Sequence, residues 1–443
     1  MHREQTRLPD LLLATIGPCQ NAVEPRGDGA VAGNGGSHSG RRRVCVGVMP
    51  LQPIGTVNLE EWDLATGLAR EISTALSRFR SIHVVSSDAP MQPAAGQRDD
   101  APVRSTIEVD LLIDGSMQKV GDRLRINVRL LDLRADNQVI WARGFNSQVT
   151  NLFALQNEVA AEVAAQIEAE FIGIEARRRR NICMRDKTAY DLVSSAIAAI
   201  RSMEYGAFIK AGDSLARAIT LESQYAIAYG WYAYWHTLLV GQGWASNPQR
   251  AIIEAGELAE WAVMLDPLDA MGLAFAGHVW ARLQHRPREA IGLHEAALSL
   301  NPNLPTAWAL SAIAHAYIGE AKEAERRNNR YKRLSPLDPN AFIFDGYFTT
   351  IYLLQRNYEL AAAYGHSVML MNPLLADNFK PYLAALGHLG RTREAEMARW
   401  RLQAAEPDFT IKRFLATTPL SRRSDRRHFA EGLRRAGVPE SAS

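Results

Sequence analysis

The sequence has few cysteines and no long apolar run. Its 443 residues include only three cysteines, Cys19, Cys45 and Cys183. They form no CxxC pair and no disulfide framework, which favours a reducing compartment. The apolar segment at 8–16 is shorter than the roughly 18 residues that cross a bilayer, and it lacks the basic start of a signal peptide. These features predict a cytoplasmic protein without a membrane span.

The sequence also has no large excess of positive or negative charge. Fifty basic and 48 acidic residues give a formal net charge of +2, so there is no general attraction to polyanions. Residues 17–43 are rich in glycine, asparagine and serine and end in Arg41, Arg42 and Arg43. Such a composition cannot bury enough apolar surface to fold, so residues 1–43 are interpreted as a disordered linker. A nucleic-acid-binding tail is the alternative, but three arginines neutralise few phosphates, and direct DNA binding is not expected.

No catalytic motif is present. The sequence contains no GxxxxGK[ST], GxGxxG or GxSxG, which excludes the common phosphate-binding loops and nucleophile elbows. His278, His285 and His294 lie close together in sequence, but not at the i,i+4 spacing of a helical metal site. We therefore predict no catalytic, cofactor-binding or metal-binding residues, and a protein that is not an enzyme.

Residues 44–175 have the pattern of an α+β domain. A short apolar strand at 44–51 precedes a helix at 59–79 with its apolar positions at helical spacing, and a second strand follows at 81–87. This is a βαβ unit. After a Pro/Gly/Asp-rich loop at 88–105, strands alternate apolar and polar residues, as in a half-buried antiparallel meander. A helix at 151–175, with Asn151 as its predicted N-cap, closes the domain.

Residues 188–408 repeat with a period of about 34 residues. An X-Pro pair closes each unit, and the successive prolines are Pro267, Pro302, Pro336, Pro373 and Pro407. Twelve residues before each stands an alanine, where two helices must approach closely: Ala255, Ala290, Ala324, Ala361 and Ala395. This period indicates tetratricopeptide repeats, about six in number. The predicted fold is thus an α+β N-terminal domain followed by an all-α tetratricopeptide-repeat superhelix, with a partly helical tail at 409–443.

Aromatic residues concentrate at 225–244, where seven stand among twenty residues. The first helix of each repeat lines the concave groove of such an array, so some of these rings are candidates for contact with a ligand. The candidate groove residues are Tyr229, Trp231, Tyr232, Trp235 and Trp244. Packing in the core is the alternative for the same rings.

Several segments together resemble a bacterial family. They are VGVMPL at 46–51, DLLIDGSMQKVGDRLRINVRLLDLRADNQVIWARGF at 110–145, LFALQNEVAAEVAAQI at 152–167 and AYGWYAYWHTLLVGQGWA at 228–245. The resemblance is to the C-terminal region of transcriptional regulators related to antibiotic-regulatory activators with a bacterial transcriptional activation domain, and of related cyclase-linked proteins. That region combines a domain like the amino-terminal domain of TolB with tetratricopeptide repeats. Such proteins place a winged-helix or cyclase domain before the strand at 44, where this sequence has only 43 residues.

Two functions follow as expectations. The first is an interaction or sensory module of a transcriptional-regulator-like protein that lacks its own DNA-binding domain. The second is a stand-alone scaffold that binds peptides and is unrelated to transcription. Both predict a protein or peptide partner in the repeat groove and no cofactor, and homo-oligomerisation stays open.

Overall fold

The N-terminal part of the chain is an α+β module built on one mixed sheet. A computed structural model describes residues 44–55, 59–86, 109–148, 152–178, 187–336, 338 and 341–441. The strands are β1 (Cys45–Val48), β2 (Gln52–Pro53), β3 (His83–Ser86), β4 (Leu111–Val120), β5 (Arg123–Asp132) and β6 (Gln138–Gln148). Their order is β3-β1-β4-β5-β6, with β2 beside β4. β1 is parallel to β3 and β4, whereas β4, β5 and β6 form an antiparallel meander.

Two long helices complete this module. Helix α1 (Leu59–Ser77) joins β2 to β3 and buries Leu68, Ile72 and Leu76, and α2 (Leu152–Arg178) packs beside it. The predicted crossover unit and meander are therefore confirmed. The two-residue strand β2 was not predicted, because two residues carry no readable periodicity. Residues 1–43, the loop at 88–105 and the predicted cap Asn151 lie outside the described residues.

The rest of the described chain is a stack of antiparallel helix pairs, as predicted for the fold. Helices α3 to α14 form six pairs, and α15 and α16 follow. The bounds are α3 (Ala189–Ser202), α4 (Tyr205–Leu221), α5 (Ala226–Gly241), α6 (Pro248–Leu265), α7 (Ala270–Arg282), α8 (Pro287–Leu300), α9 (Pro305–Tyr317), α10 (Ala321–Leu334), α11 (Ala341–Leu354), α12 (Tyr358–Met371), α13 (Ala376–Leu389), α14 (Thr392–Ala405), α15 (Ile411–Thr417) and α16 (Arg423–Arg435). Among the residues described, no helix is long and apolar enough to cross a membrane.

Small residues set the distance between paired helices. The five alanines of the repeat signature are buried, with exposed fractions of 0–2%. The second unit is longer than the third. Its helices have 16 and 18 residues, and residues 242–247 connect them. The corresponding helices of the third unit have 13 and 14 residues. Most of the extra length therefore lies in the two helices and not in their connection.

The C-terminal helices fold back onto the array. Helix α16 packs on α13, and its backbone approaches so closely that a Cβ on Gly432 would lie 2.4 Å from the main-chain oxygen of Ala384. The main-chain N–H of Ser421 donates a hydrogen bond of 2.8 Å to the carbonyl of Tyr317. The chain beyond residue 409 is therefore attached to the repeats.

Candidate functional site: the concave face of the repeat array

The first helices of the six pairs, α3, α5, α7, α9, α11 and α13, line one face of the array, which we call the concave face. These helices are apolar and nearly free of charge. Helices α5 and α9 contain no Asp, Glu, Lys or Arg, α7 contains only Arg282, and α13 contains only Asp377 and Lys380. Charged side chains on this face are therefore exceptions that require a physical reason.

Three of the five predicted aromatic groove residues are enclosed by packing. Tyr229, Trp231 and Trp235 are 9%, 6% and 7% exposed. The indole Nε1 of Trp235 donates a 2.7 Å hydrogen bond to the carbonyl of Phe208, and the two rings stack. The hydroxyl of Tyr229 donates to the carbonyl of Ser223 at 3.1 Å. Burial of these rings and their polar atoms is what core packing requires.

The other two aromatic residues are half-buried. Trp244 packs edge-on against Phe208, with ring centroids 5.1 Å apart, and Tyr232 lies beside Trp235. The five rings thus do not form one surface, because they pack in different directions around α5. Trp231 alone among them lines the narrow cleft between the array and α2. A ligand role for the five stays a prediction.

Helix α2 of the N-terminal module lies across the concave face. It contacts α3 in the first pair and also α10 in the fourth. Ala161 and Ala165 of α2 pack with Leu334, and Trp308 of α9 lies against the same cluster. The alanines allow close approach, since larger side chains at these positions would collide with the array.

Polar contacts also attach the N-terminal module to the array. A guanidinium nitrogen of Arg201 donates to the carbonyl of Ala169 in α2 at 3.3 Å. Burial raises the pKa of Glu168 on the same helix, and Arg201 partly offsets that rise. Arg80 and Asp266 form a 3.3 Å ion pair between the two parts. The exposure of both partners in that pair limits its contribution to stability.

A second part of the concave face is a partly open space of about 400 Å³, which we call the interior cavity. Its walls come from α5, α7, α9, α11 and α13 on one side and from residues 409–429 on the other. Apolar lining residues are Leu283, Ile313, Phe409, Phe414 and Phe429. A cavity of this size can hold a small organic molecule.

Charged residues line the interior cavity where the second and third repeats meet the sixth. Arg282 forms an ion pair of 2.5 Å with Asp377, and its other terminal nitrogen donates to the hydroxyl of Tyr317 at 3.1 Å. Burial alone would lower the pKa of Arg282, but Asp377 raises it. Lys380 pairs with Glu406 at 2.6 Å. These paired side chains form what we call the clasp.

Main-chain contacts extend the clasp. The side-chain oxygen of Gln242, at the end of α5, accepts a 3.1 Å hydrogen bond from the main-chain N–H of Asp377. Lys380 donates to the carbonyl of Gly241 at 3.2 Å. A Cβ on Gly241 would lie 2.8 Å from Arg282. Repeats four units apart along the chain therefore touch, and the array curls tightly.

One histidine on the inner side of the array, His278, is buried and neutral. His278 lines the interior cavity, is 1% exposed, and its Nδ1 has no hydrogen-bond partner within the described residues. Burial lowers its pKa well below the usual value, and Arg282 lowers it further. The imidazole is therefore uncharged at neutral pH, with one ring nitrogen free to bind a ligand or water.

Sequence reasoning did not select the clasp. Arg282 and Asp377 stand 95 residues apart, and nothing in their own segments indicates that they meet. A signal was present, since they are among the few charged residues of these two apolar helices. The aromatic cluster at 225–244 was the more conspicuous feature, but its composition mainly reflects packing.

Comparisons with known proteins give partial matches. No family model matches the chain. Over 170 residues the chain is 25% identical to "Putative adenylate cyclase 3" of Rhizobium meliloti (strain 1021). The match covers 38% of this chain and 29% of the length of that relative.

Solved structures of low similarity also match. The type IV pilus biogenesis factor PilW is 20% identical and matches 49% of this chain and 94% of its own, with a TM-score of 0.36. TolB from Acinetobacter baumannii is 14% identical over 30% of this chain and 29% of its own, with a TM-score of 0.23. The tetratricopeptide domain of P58(IPK) is 13% identical over 65% of this chain and 94% of its own, with a TM-score of 0.18. The fold itself, an α+β module followed by a tetratricopeptide-like helical array, is shown by the chain's own strands and helix pairs.

Proposed function

We propose that the repeat array is a protein-interaction module whose concave face binds a helical segment of a partner protein. The observation that carries this proposal is α2, an alanine-rich helix held against that face at Ala161 and Ala165. A surface that accommodates one helix by apolar packing can accommodate another of matching shape, which is a common mode of peptide recognition.

In this proposal α2 is the occupant of the site before a partner binds. A competing helix would carry small residues four apart, as α2 does, and would pack them against Leu334 and Trp308. The ion pair of Arg80 with Asp266 is exposed and offers little resistance to separation. Exchange of one helix for another would couple partner binding to the position of the N-terminal module.

The test is site-specific photo-crosslinking in the full chain. A photoreactive amino acid at Thr306, a half-buried residue lining the cleft beside α2, is combined with Ala165→Glu to dislodge α2. We expect a discrete partner to be captured from the native lysate and its crosslinked segment to be helical. The matched control places the label at Leu370, which is 70% exposed on a second helix of a pair. Capture of the same partner from both positions would contradict binding at the concave face.

The setting we propose is regulatory, and the chain itself is not an enzyme. The match to a protein named as an adenylate cyclase supports a cyclase-linked module more than a transcriptional one, although the resemblance to transcriptional regulators supports either. A stand-alone scaffold in the cytoplasm is the alternative. A neighbouring reading frame that encodes a cyclase or a winged-helix domain would favour a regulatory setting over the scaffold.

We also propose that the protein does not bind DNA directly. Its net charge of +2 provides little of the phosphate attraction on which DNA binding depends. Gel retardation with duplex DNA at about 0.15 M salt, near physiological ionic strength, should show no shift. A saturable, sequence-specific shift under those conditions would contradict the proposal.

A further inference from the structure

We propose that the interior cavity binds a small organic anion that has an apolar body. This site is separate from the cleft occupied by α2, and it does not depend on the function proposed for that cleft. It would give the array a small-molecule ligand in addition to a protein partner.

The apolar part of the site is provided by both the repeats and the C-terminal helices. Leu283 and Ile313 lie on the side of the repeats, and Phe409, Phe414 and Phe429 lie opposite. All five are buried, with exposed fractions between 1% and 8%. A space of about 400 Å³, partly open to solvent, remains between them, and it is large enough for a small organic molecule.

The charged part of the site has an excess of positive charge. Three basic residues line the cavity, Arg282, Lys380 and Arg413, against two acidic residues, Asp377 and Glu406. Both acidic residues are engaged by a cation of the clasp at 2.5–2.6 Å. Arg413, in contrast, has no carboxylate within ion-pair distance in the part of the chain that the structure describes. An incoming anion therefore meets an exposed cation that has no carboxylate partner.

Uncharged polar groups add to this preference. His278 is buried and neutral, and its Nδ1 lacks a hydrogen-bond partner within the described residues. The Tyr317 hydroxyl at the clasp accepts from Arg282, which leaves its own O–H to donate elsewhere. Donors of this kind, beside a cation and inside an apolar enclosure, hold a carboxylate more strongly than they would in water.

The clasp also has a structural role, since Arg282 of the third repeat pairs with Asp377 of the sixth. That role explains the pairing of Arg282 with Asp377, whereas Lys380 and Glu406 pair within the sixth repeat. It does not explain the unpaired Arg413, the unpartnered nitrogen of His278 or the open volume between them. A ligand of the stated class accounts for these three observations together.

The experiment is calorimetric titration of the purified full-length protein with three probes of one chain length. Decanoate, decyltrimethylammonium and decanol are each used below the concentration at which they form micelles. We expect decanoate to bind with a stoichiometry of one and at least about ten-fold more tightly than the other two probes. Loss of one charge-assisted hydrogen bond raises the dissociation constant by about that factor. No saturable binding of decanoate, or equal or tighter binding of either other probe, would overturn the proposal.

Variants locate the binding. Arg413→Met removes the unpaired cation at an exposed position and should weaken decanoate binding by about ten-fold. Thr350→Trp fills the cavity from a half-buried lining position and should abolish binding. Arg427→Met, an exposed arginine on α16 outside the cavity lining, is the matched control and should bind like the wild type. Unchanged affinity in both cavity variants, with far-ultraviolet circular dichroism showing them folded, would place the binding elsewhere and overturn the assignment.

Discussion

Replacing Asp377 by asparagine removes the negative charge that faces Arg282 and leaves the size of the side chain almost unchanged. Removal of one partner from a fully buried ion pair costs about 3–5 kcal/mol, whereas an exposed pair contributes about 0–1 kcal/mol. The side chains of Arg282 and Asp377 are 18% and 31% exposed, so this pair lies between those limits. We expect Asp377→Asn to reduce the free energy of unfolding by about 2 kcal/mol.

The assay is urea denaturation followed by circular dichroism, in a double-mutant cycle with Arg282→Met. The two substitutions should be non-additive by about 2 kcal/mol, because each removes the same interaction. Glu359→Gln is the matched control, since Glu359 pairs with Arg391 but is 67% exposed. It should cost less than about 1 kcal/mol.

The loss should also depend on pH. Burial would raise the pKa of Asp377, but Arg282 and Lys380 overcome that effect and lower it. The contribution of the carboxylate is therefore complete above the unfolded pKa of about 3.9 and is lost as the pH falls through the lower folded pKa. A loss below about 0.5 kcal/mol at neutral pH, or additive substitutions, would refute the claim that the clasp holds the third and sixth repeats together.

Three further predictions concern the packing of the array. Gly432→Ala should destabilise the protein by about 1–3 kcal/mol in scanning calorimetry, because the new Cβ would meet the backbone of α13. The control is Gly292→Ala, a helical position that faces open space. It should be neutral or stabilising in the same measurement. Burial lowers the pKa of His294 to about 3. Below a pH of about 6.5 the unfolded chain therefore binds a proton at this histidine and the folded protein does not, so the free energy of unfolding falls. His294→Leu should therefore reduce the slope of unfolding free energy against pH, between about pH 6 and 4, by up to about 1.4 kcal/mol per pH unit. An unchanged slope would contradict the depressed pKa of His294. Trp235→Phe should cost about 1 kcal/mol in urea denaturation through loss of the hydrogen bond to Phe208, and partner capture should be unaffected.

The array could be predicted from sequence because its packing needs are local and repeated. Each pair of helices needs a small residue where the axes cross, and the five signature alanines meet that need at one fixed spacing. The turns were only partly predictable. Gly319 and Gly390 have positive φ as expected of glycine, but Met203, His285 and Arg356 adopt it too. These turns carry no glycine, although their backbone adopts a conformation that L side chains disfavour, so composition alone does not mark them.

The candidate site could not be predicted to the same extent because it depends on the curvature of the whole array. Small rotations between neighbouring repeats add up over three units, and their sum brings Arg282 to Asp377. No single segment of the sequence indicates the total rotation between distant repeats. The same holds for α2, whose apolar positions indicate that it is buried but not that Leu334 is part of the surface that buries it.

The most direct test of helix binding at the concave face uses α2 itself as the ligand. A fluorescein-labelled peptide of residues 152–178 is titrated with the full-length Ala165→Glu variant, in which the native α2 is dislodged, and its fluorescence anisotropy is measured. We expect saturable binding to Ala165→Glu, and little binding to the wild type or to Ala154→Glu, a control at an exposed position of the same helix. A folded Ala165→Glu protein that binds the peptide no better than the wild type would contradict the account.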